Sequence, residues 1–182
     1  MPNWCLSRFA FKGDKEELKN FNDKIRYFTS SENKNQIENG FGPNWLGNVV
    51  HGFGFNWERI SCRGALNMPE KEFDPEKDKY LMVETDTAWA PMPEMWDIIL
   101  SRFYPSLSYV FTAFEEGCGL YINTDIEHTI FPERYYVSVY DPINNEFDSE
   151  FCENKEELKE YLKSLKKTDE YNVFEFEEYY GK

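Results

Sequence analysis

Polar and apolar side chains alternate from Trp4 to Phe11, the period-two pattern of a strand with one buried face, and Gly13-Asp14 follows as a turn and helix cap. Asp14 and Glu17 have the spacing of a capping box. Leu18, Phe21, Ile25 and Phe28 then recur at helical spacing, which predicts a helix with one apolar face. Thr29 to Gly40 is rich in Asn, Ser and Glu and reads as an exposed connection. Within Phe41–Trp57, Pro43 suits a first turn, and Trp45, Leu46, Val49 and Val50 make a short apolar face ended by glycines. A short helix is expected near 43–52.

Glu58–Leu66 reads as a strand, Pro69–Lys79 as a charged turn, and Tyr80–Thr87 as the returning strand of a hairpin. Met92, Trp96, Ile99, Leu100 and Phe103 form a helical stripe over Pro93–Tyr104. Pro91 and Pro93 suit its entry and Pro105 its exit, and a strand follows from Leu107 to Glu115. The order β-α-(short helix)-β-β-α-β is that of a split βαβ arrangement. It predicts an α+β, ferredoxin-like sandwich, an antiparallel sheet with helices on one face. Right-handed crossovers are expected to make the first and third strands central, parallel neighbours.

Beyond this core, Gly119–Thr124 and Arg134–Tyr140 suggest a hairpin, Asn154–Lys166 a capped helix and Tyr171–Glu177 a strand. This β-β-α-β tail is expected to extend or cover a sheet edge. Residues 1–182 thus read as a single domain, with a ferredoxin-like core over 1–117, an inserted short helix, and an extension over 118–182. The chain length suits one substantial core.

Composition sharpens this picture in three ways. Sixteen Phe, twelve Tyr and five Trp mean that large rings must fill much of the interior. Thirty-four carboxylates against twenty Lys and Arg give a formal charge of −14, which opposes binding to phosphate backbones or anionic lipid. Direct nucleic-acid binding and a membrane role are therefore disfavoured, and solubility is the simplest use of the charge. The start Met1-Pro2-Asn3-Trp4 has no basic segment leading into an apolar one, and no window approaches a membrane span, so a cytoplasmic location is expected.

Cys5, Cys62, Cys118 and Cys152 are scattered with no CxxC pair and are expected to be buried free thiols. His51 and His128 lie in different regions without HExxH or an Asp-rich calcium loop. No GxSxG elbow or phosphate loop accompanies them, so no metal, cofactor or known catalytic constellation is expected.

Three stretches carry a likeness to a known family: Met1-Pro-Asn-Trp-Cys5, Thr87-Ala-Trp-Ala-Pro91 and Phe114-Glu-Glu-Gly117. Through them, and through its strand order, about the first 120 residues resemble the YubB-like family of ferredoxin-like proteins carried by phages, plasmids and other bacterial mobile elements. The family's Trp-Gly-Thr-Lys-Trp stretch is replaced here by Ser61-Cys62-Arg63-Gly64-Ala65. The resemblance implies a fold and a bacterial mobile-element origin, with no established activity.

If the fold holds, the start of the first strand lies beside the end of the antiparallel fourth, bringing Asn3 and Trp4 near Glu115, Glu116 and Gly117. Trp89, at a strand-to-helix turn, could wall a pocket or plug the core end. Arg63 could hold an anion or pair with Glu84 across the hairpin. The candidate binding surface is therefore Asn3, Trp4, Arg63, Trp89, Glu115 and Glu116, with no catalytic residue assigned.

The expectation is a noncatalytic binding or interaction protein of a mobile element, with an unidentified protein partner and homodimerisation through an edge strand as options. A first alternative is a DNA-mimic or anti-defence protein using Glu146, Asp148, Glu150, Glu153, Glu156 and Glu157 as surrogate phosphates. A second is an enzyme with a pocket lined by Trp89, Arg63 and Glu115.

Overall fold

A computed structural model describes residues 3–38, 41–141, 146–165 and 171–176. Met1, Pro2, Gly40, the helix end at Lys166 and the strand end at Glu177 lie outside the described residues. The chain is α+β, with two antiparallel sheets and four α-helices among those residues. The first sheet runs β2 (Gly64–Asn67), β3 (Leu81–Ala88), β1 (Trp4–Lys12), β4 (Ser108–Glu115), β5 (Leu120–Asn123). The second runs β7 (Glu146–Cys152), β6 (Tyr135–Asp141), β8 (Tyr171–Glu175). The helices are α1 (Lys15–Phe28), α2 (Leu46–Gly52), α3 (Pro93–Phe103) and α4 (Lys155–Ser164). None is long and apolar enough to cross a membrane.

β1 is the central strand, and its alternation divides the molecule. Cys5, Phe9 and Phe11 point to the face covered by α1 and α3, where they join Leu18, Phe21 and Ile25 of α1 and Met95, Trp96, Ile99 and Leu100 of α3. Trp96 lies 5.9 Å from Phe9, 5.4 Å from Phe11 and 5.9 Å from Phe21, ring centre to ring centre, each contact edge-on. The α3 stripe is rotated from the expected one: Met95 is buried, whereas Phe103 is 41% exposed and packs beside Phe53 instead.

Only the N-cap half of the expected capping box forms at α1. Asp14 Oδ1 accepts from the amides of Glu16 and Glu17, both at 3.0 Å, while Glu17 turns away to accept from the Ser106 hydroxyl at 2.8 Å.

The structure corrects four expectations. First, β1 and β3 are adjacent but antiparallel, with Trp4 opposite Ala88 and Phe11 opposite Leu81. Each crossover returns parallel to the strand it left, two places away, so the strand between must oppose both. Second, the strand expected over Glu58–Leu66 is shorter. The Asn56 side chain caps a 3₁₀ turn at Trp57–Arg59 through the Glu58 amide (2.9 Å), leaving only Gly64–Asn67 to pair.

Third, the 119–124 and 134–140 segments do not form a hairpin. Leu120–Asn123 joins the first sheet beside β4, and Tyr135–Asp141 becomes the centre of the second. Fourth, Glu146–Cys152, to which the sequence reading assigns no element, is strand β7.

The second sheet packs on the face of the first sheet opposite α1 and α3. Phe114 and Tyr121 meet Tyr136 at 4.7 and 5.5 Å, and Tyr121 stacks on Phe174 at 4.5 Å. On its far side Val137, Val139 and Cys152 pack against Leu158, Tyr161 and Leu162 of α4. The tail therefore both lengthens the first sheet by one strand and roofs part of one face.

Because Trp96 is 1% exposed and touches three buried rings, Trp96→Ala should lower unfolding free energy by about 3–5 kcal/mol in urea denaturation.

Candidate functional site

The β1 register brings the sequence-derived candidates to one end of the first sheet. Trp4 lies opposite Ala88, the Trp89 amide donates to the Asn3 carbonyl at 2.9 Å, and the Ala88 amide donates to the Arg63 carbonyl at 3.0 Å. The β3–α3 turn is closed from inside. The buried Thr87 hydroxyl donates to the Ala90 carbonyl at 2.8 Å, and the Ala90 amide reaches the Ala88 carbonyl at 2.9 Å.

That last bond encloses Trp89, whose φ is 66°. This is the left-handed region, which a bulky side chain enters only at a cost of roughly 1–2 kcal/mol. The indole does not plug the core: it is 48% exposed, with the Arg63 guanidinium 4.8 Å from its ring centre. Arg63 thus stacks on Trp89 and is not the cross-strand partner of Glu84, which lies opposite Arg8 and Asn67 instead. Trp4 is also about half exposed.

Glu115 and Glu116 separate as adjacent strand residues must. Glu116 is exposed, whereas Glu115 is buried and accepts from the Gly117 amide at 2.8 Å, from the Cys118 amide and from the Asn3 side chain. A β-carbon on Gly117 would collide with the Asn3 amide, so glycine permits this close approach. Burial pushes the Glu115 carboxyl up, but the hydrogen bonds from Cys118, Gly117 and Asn3 outweigh it and hold it below the usual carboxylate range.

Glu115 is therefore turned toward its own turn and Asn3. Three cavities, of about 990, 310 and 140 Å³, are lined by described residues elsewhere, and these three do not include Trp89, Arg63 or Glu115.

The thiols are held in their neutral form. Burial raises Cys5 and Cys152 and pushes Cys62 up to about 11. Cys118, expected to be buried, is exposed, and the neighbouring Glu115 carboxylate raises it.

The 310 Å³ cavity is a second place where polar groups converge, and it lies between the two sheets. Arg8, on the outward side of β1, donates to Glu133 Oε1 at 2.7 Å, approaches Thr112 Oγ1 at 3.4 Å, and lies 5.2 Å above the Phe131 ring. The loop that delivers Glu133 is fixed by buried polar groups. Asn123 donates to the carbonyls of Phe131 (2.8 Å) and Glu133 (3.1 Å), and Asp125 accepts from the amides of Ile130 (2.6 Å) and Phe131 (3.0 Å).

Glu84 and Asp86 share the cavity wall. Their two-residue spacing on β3 was a legible sign that they share a face, but nothing in sequence placed Glu133 opposite them. In the depression of about 990 Å³ between α3 and β4, the Tyr109 hydroxyl donates to Asp97 at 2.6 Å.

Two of the acidic tail residues, Asp148 and Glu157, accept local backbone hydrogen bonds. Asp148 and Glu150 sit on β7 opposite Val139 and Val137, on the side that packs α4. Glu156 and Glu157 occupy the first turn of α4, where Asn154 caps both amides at 3.0 Å and Glu157 returns a bond to the Glu153 amide at 2.9 Å. The Glu146 side chain lies outside the described residues.

Comparison of the chain with protein-family models, with curated proteins and with solved structures finds no match in any of the three.

Replacing Glu115 by Gln should lower stability at neutral pH by about 1–3 kcal/mol, since the hydrogen bonds from Cys118, Gly117 and Asn3 to a buried carboxylate are weakened. The folded carboxyl is depressed, so this contribution is fully present above the unfolded value of about 4.3 and is lost as pH falls through the lower folded value. Melts of wild type and Glu115→Gln should converge below that range. At the turn, Trp89→Gly should be more stable than Trp89→Ala by about 0.5–1 kcal/mol in urea denaturation, because only glycine adopts φ near 66° without strain.

Proposed function

We propose that this chain is a noncatalytic binding module of a bacterial mobile element that engages a protein partner through the end of its first sheet, at Trp4, Arg63 and Trp89. The observation that carries the reading is Trp89: a large ring held half exposed by a strained backbone, with a guanidinium stacked on it. A core-packing role would have buried the ring, and relaxed packing would not have required a left-handed turn. Aromatic and Arg side chains of this kind are the usual anchors of protein interfaces.

The ferredoxin-like reading of the core is supported by the strand order β2-β3-β1-β4, with α1 and α3 packed on one face. At this end the described parts of the three stretches that carry the YubB-like resemblance lie together, through the Trp89–Asn3 and Asn3–Glu115 hydrogen bonds. A cytoplasmic location follows from the same reading, and the four free thiols suit it. The polyanion-mimic alternative has weaker support, because two of its carboxylates are engaged locally: Glu157 accepts from the Glu153 amide and Asp148 from the Ser149 amide.

Affinity capture from bacterial host lysate, with wild type and an Arg63→Ala/Trp89→Ala variant of comparable circular dichroism, tests the proposal. A partner retained by wild type and lost by the variant is the expected result. Equal capture by both, or substrate turnover that disappears with one ionisable residue, would overturn it.

A further inference from the structure

The 310 Å³ cleft between the sheets is independent of the Trp89 surface and has the opposite charge. In an antiparallel pair, Arg8 and Glu84 stand directly opposite and would ordinarily form a cross-strand ion pair. Arg8 instead reaches the other way, to Glu133 and Thr112, with its guanidinium over Phe131. Glu84 is left without a hydrogen bond or ion pair among the described residues, and it is exposed at the cleft wall. Asp86, two residues along the same face, accepts one bond from Asn67 at 2.8 Å.

Across the cleft, Oε2 of Glu133 is buried and accepts no hydrogen bond among the described residues. Among the described lining residues, three carboxylates against the guanidinium of Arg8 leave two uncompensated negative charges (three minus one) in this space. Most of the remaining wall is apolar, from Leu6 and Phe114 of the first sheet and Phe151 and Phe176 beside the second, with Ser7, Thr85 and Thr112 as its polar members.

We propose that this cleft binds an organic cation: an amidinium, guanidinium or ammonium group attached to an apolar body. The carboxylates of Glu84 and Asp86 receive the charged head, and the Phe walls cover the body. The volume suits a ligand of side-chain to small-drug size, and the overall charge of −14 favours its approach. The same head group occurs on free small amines and on the Arg side chain of a peptide.

NMR-monitored titration with benzamidine, with N-acetyl-arginine amide and with benzoate tests this on the full chain. Saturable binding of at least one of the two cations, with shifts at Glu84, Asp86 and Phe151 and none from benzoate, is the expected outcome. The tighter of the two cations identifies the source, a free amine-type ligand or a peptide side chain. Glu84→Gln, whose side chain supports no other group, should weaken binding about tenfold, the loss expected for one charge-assisted contact. The Asp86→Asn addition should weaken it further. The proposal is overturned if neither cation saturates below about 10 mM, if benzoate binds equally well, or if Glu84→Gln leaves affinity unchanged.

Discussion

The structure depends on the position of β1 between β3 and β4. It is paired on both edges along most of its length, so its two faces see different worlds, and each residue's side is fixed by counting along one strand. Phe9 and Phe11 face the helices and, with Trp96 and Phe21, make the aromatic centre of the larger core. Leu6 and Arg8 face the other way, into the cleft. A register slip of one residue would bury the Arg8 guanidinium among rings and expose both phenylalanines, a double penalty that locks the register.

The same strand positions both surfaces of interest. Its first residues reach the end of β3 and the end of β4, so Asn3 connects the Trp89 turn to the Glu115 turn through one carbonyl and one side-chain amide. Its middle places Arg8 where it can tie the Glu133 loop to the sheet. The outcome is two regions of contrasting chemistry on one small scaffold, an aromatic end carrying a guanidinium and an aromatic cleft carrying an excess of carboxylates.

The second sheet explains why that cleft exists. Its rings cover Phe114 and Tyr121 at the β4–β5 side but leave Glu84 and Asp86 of β3 at an open margin. Burying those carboxylates under a complete roof would require partners, and among the described residues only Asn67, bonded to Asp86, supplies one. Its outer strand, β7, carries Asp148 and Glu150 on one face, and charge on an edge strand discourages pairing with another chain.

The helices and most strands of the first 115 residues were legible in the sequence because their apolar positions repeat at 3.6 or 2 and are bounded by Gly, Pro and Asp caps. The adjacency of Asn3 with Glu115 was also legible, since it follows from strand order alone. Local pattern could not report the direction of β1 against β3, which is set by crossovers over whole elements. Nor could it report β7, whose alternating Phe and acidic residues resemble a solvated segment until a second sheet supplies a surface for the rings.

The exposed, strained state of Trp89, the turning of Arg8 from Glu84 to Glu133, and the cleft itself were decided by tertiary structure alone. Each depends on which of several comparable partners lies within reach, and that is a matter of distances between segments far apart in the chain. The sequence by itself determined which side of each strand is apolar; only the folded chain decided what covers it.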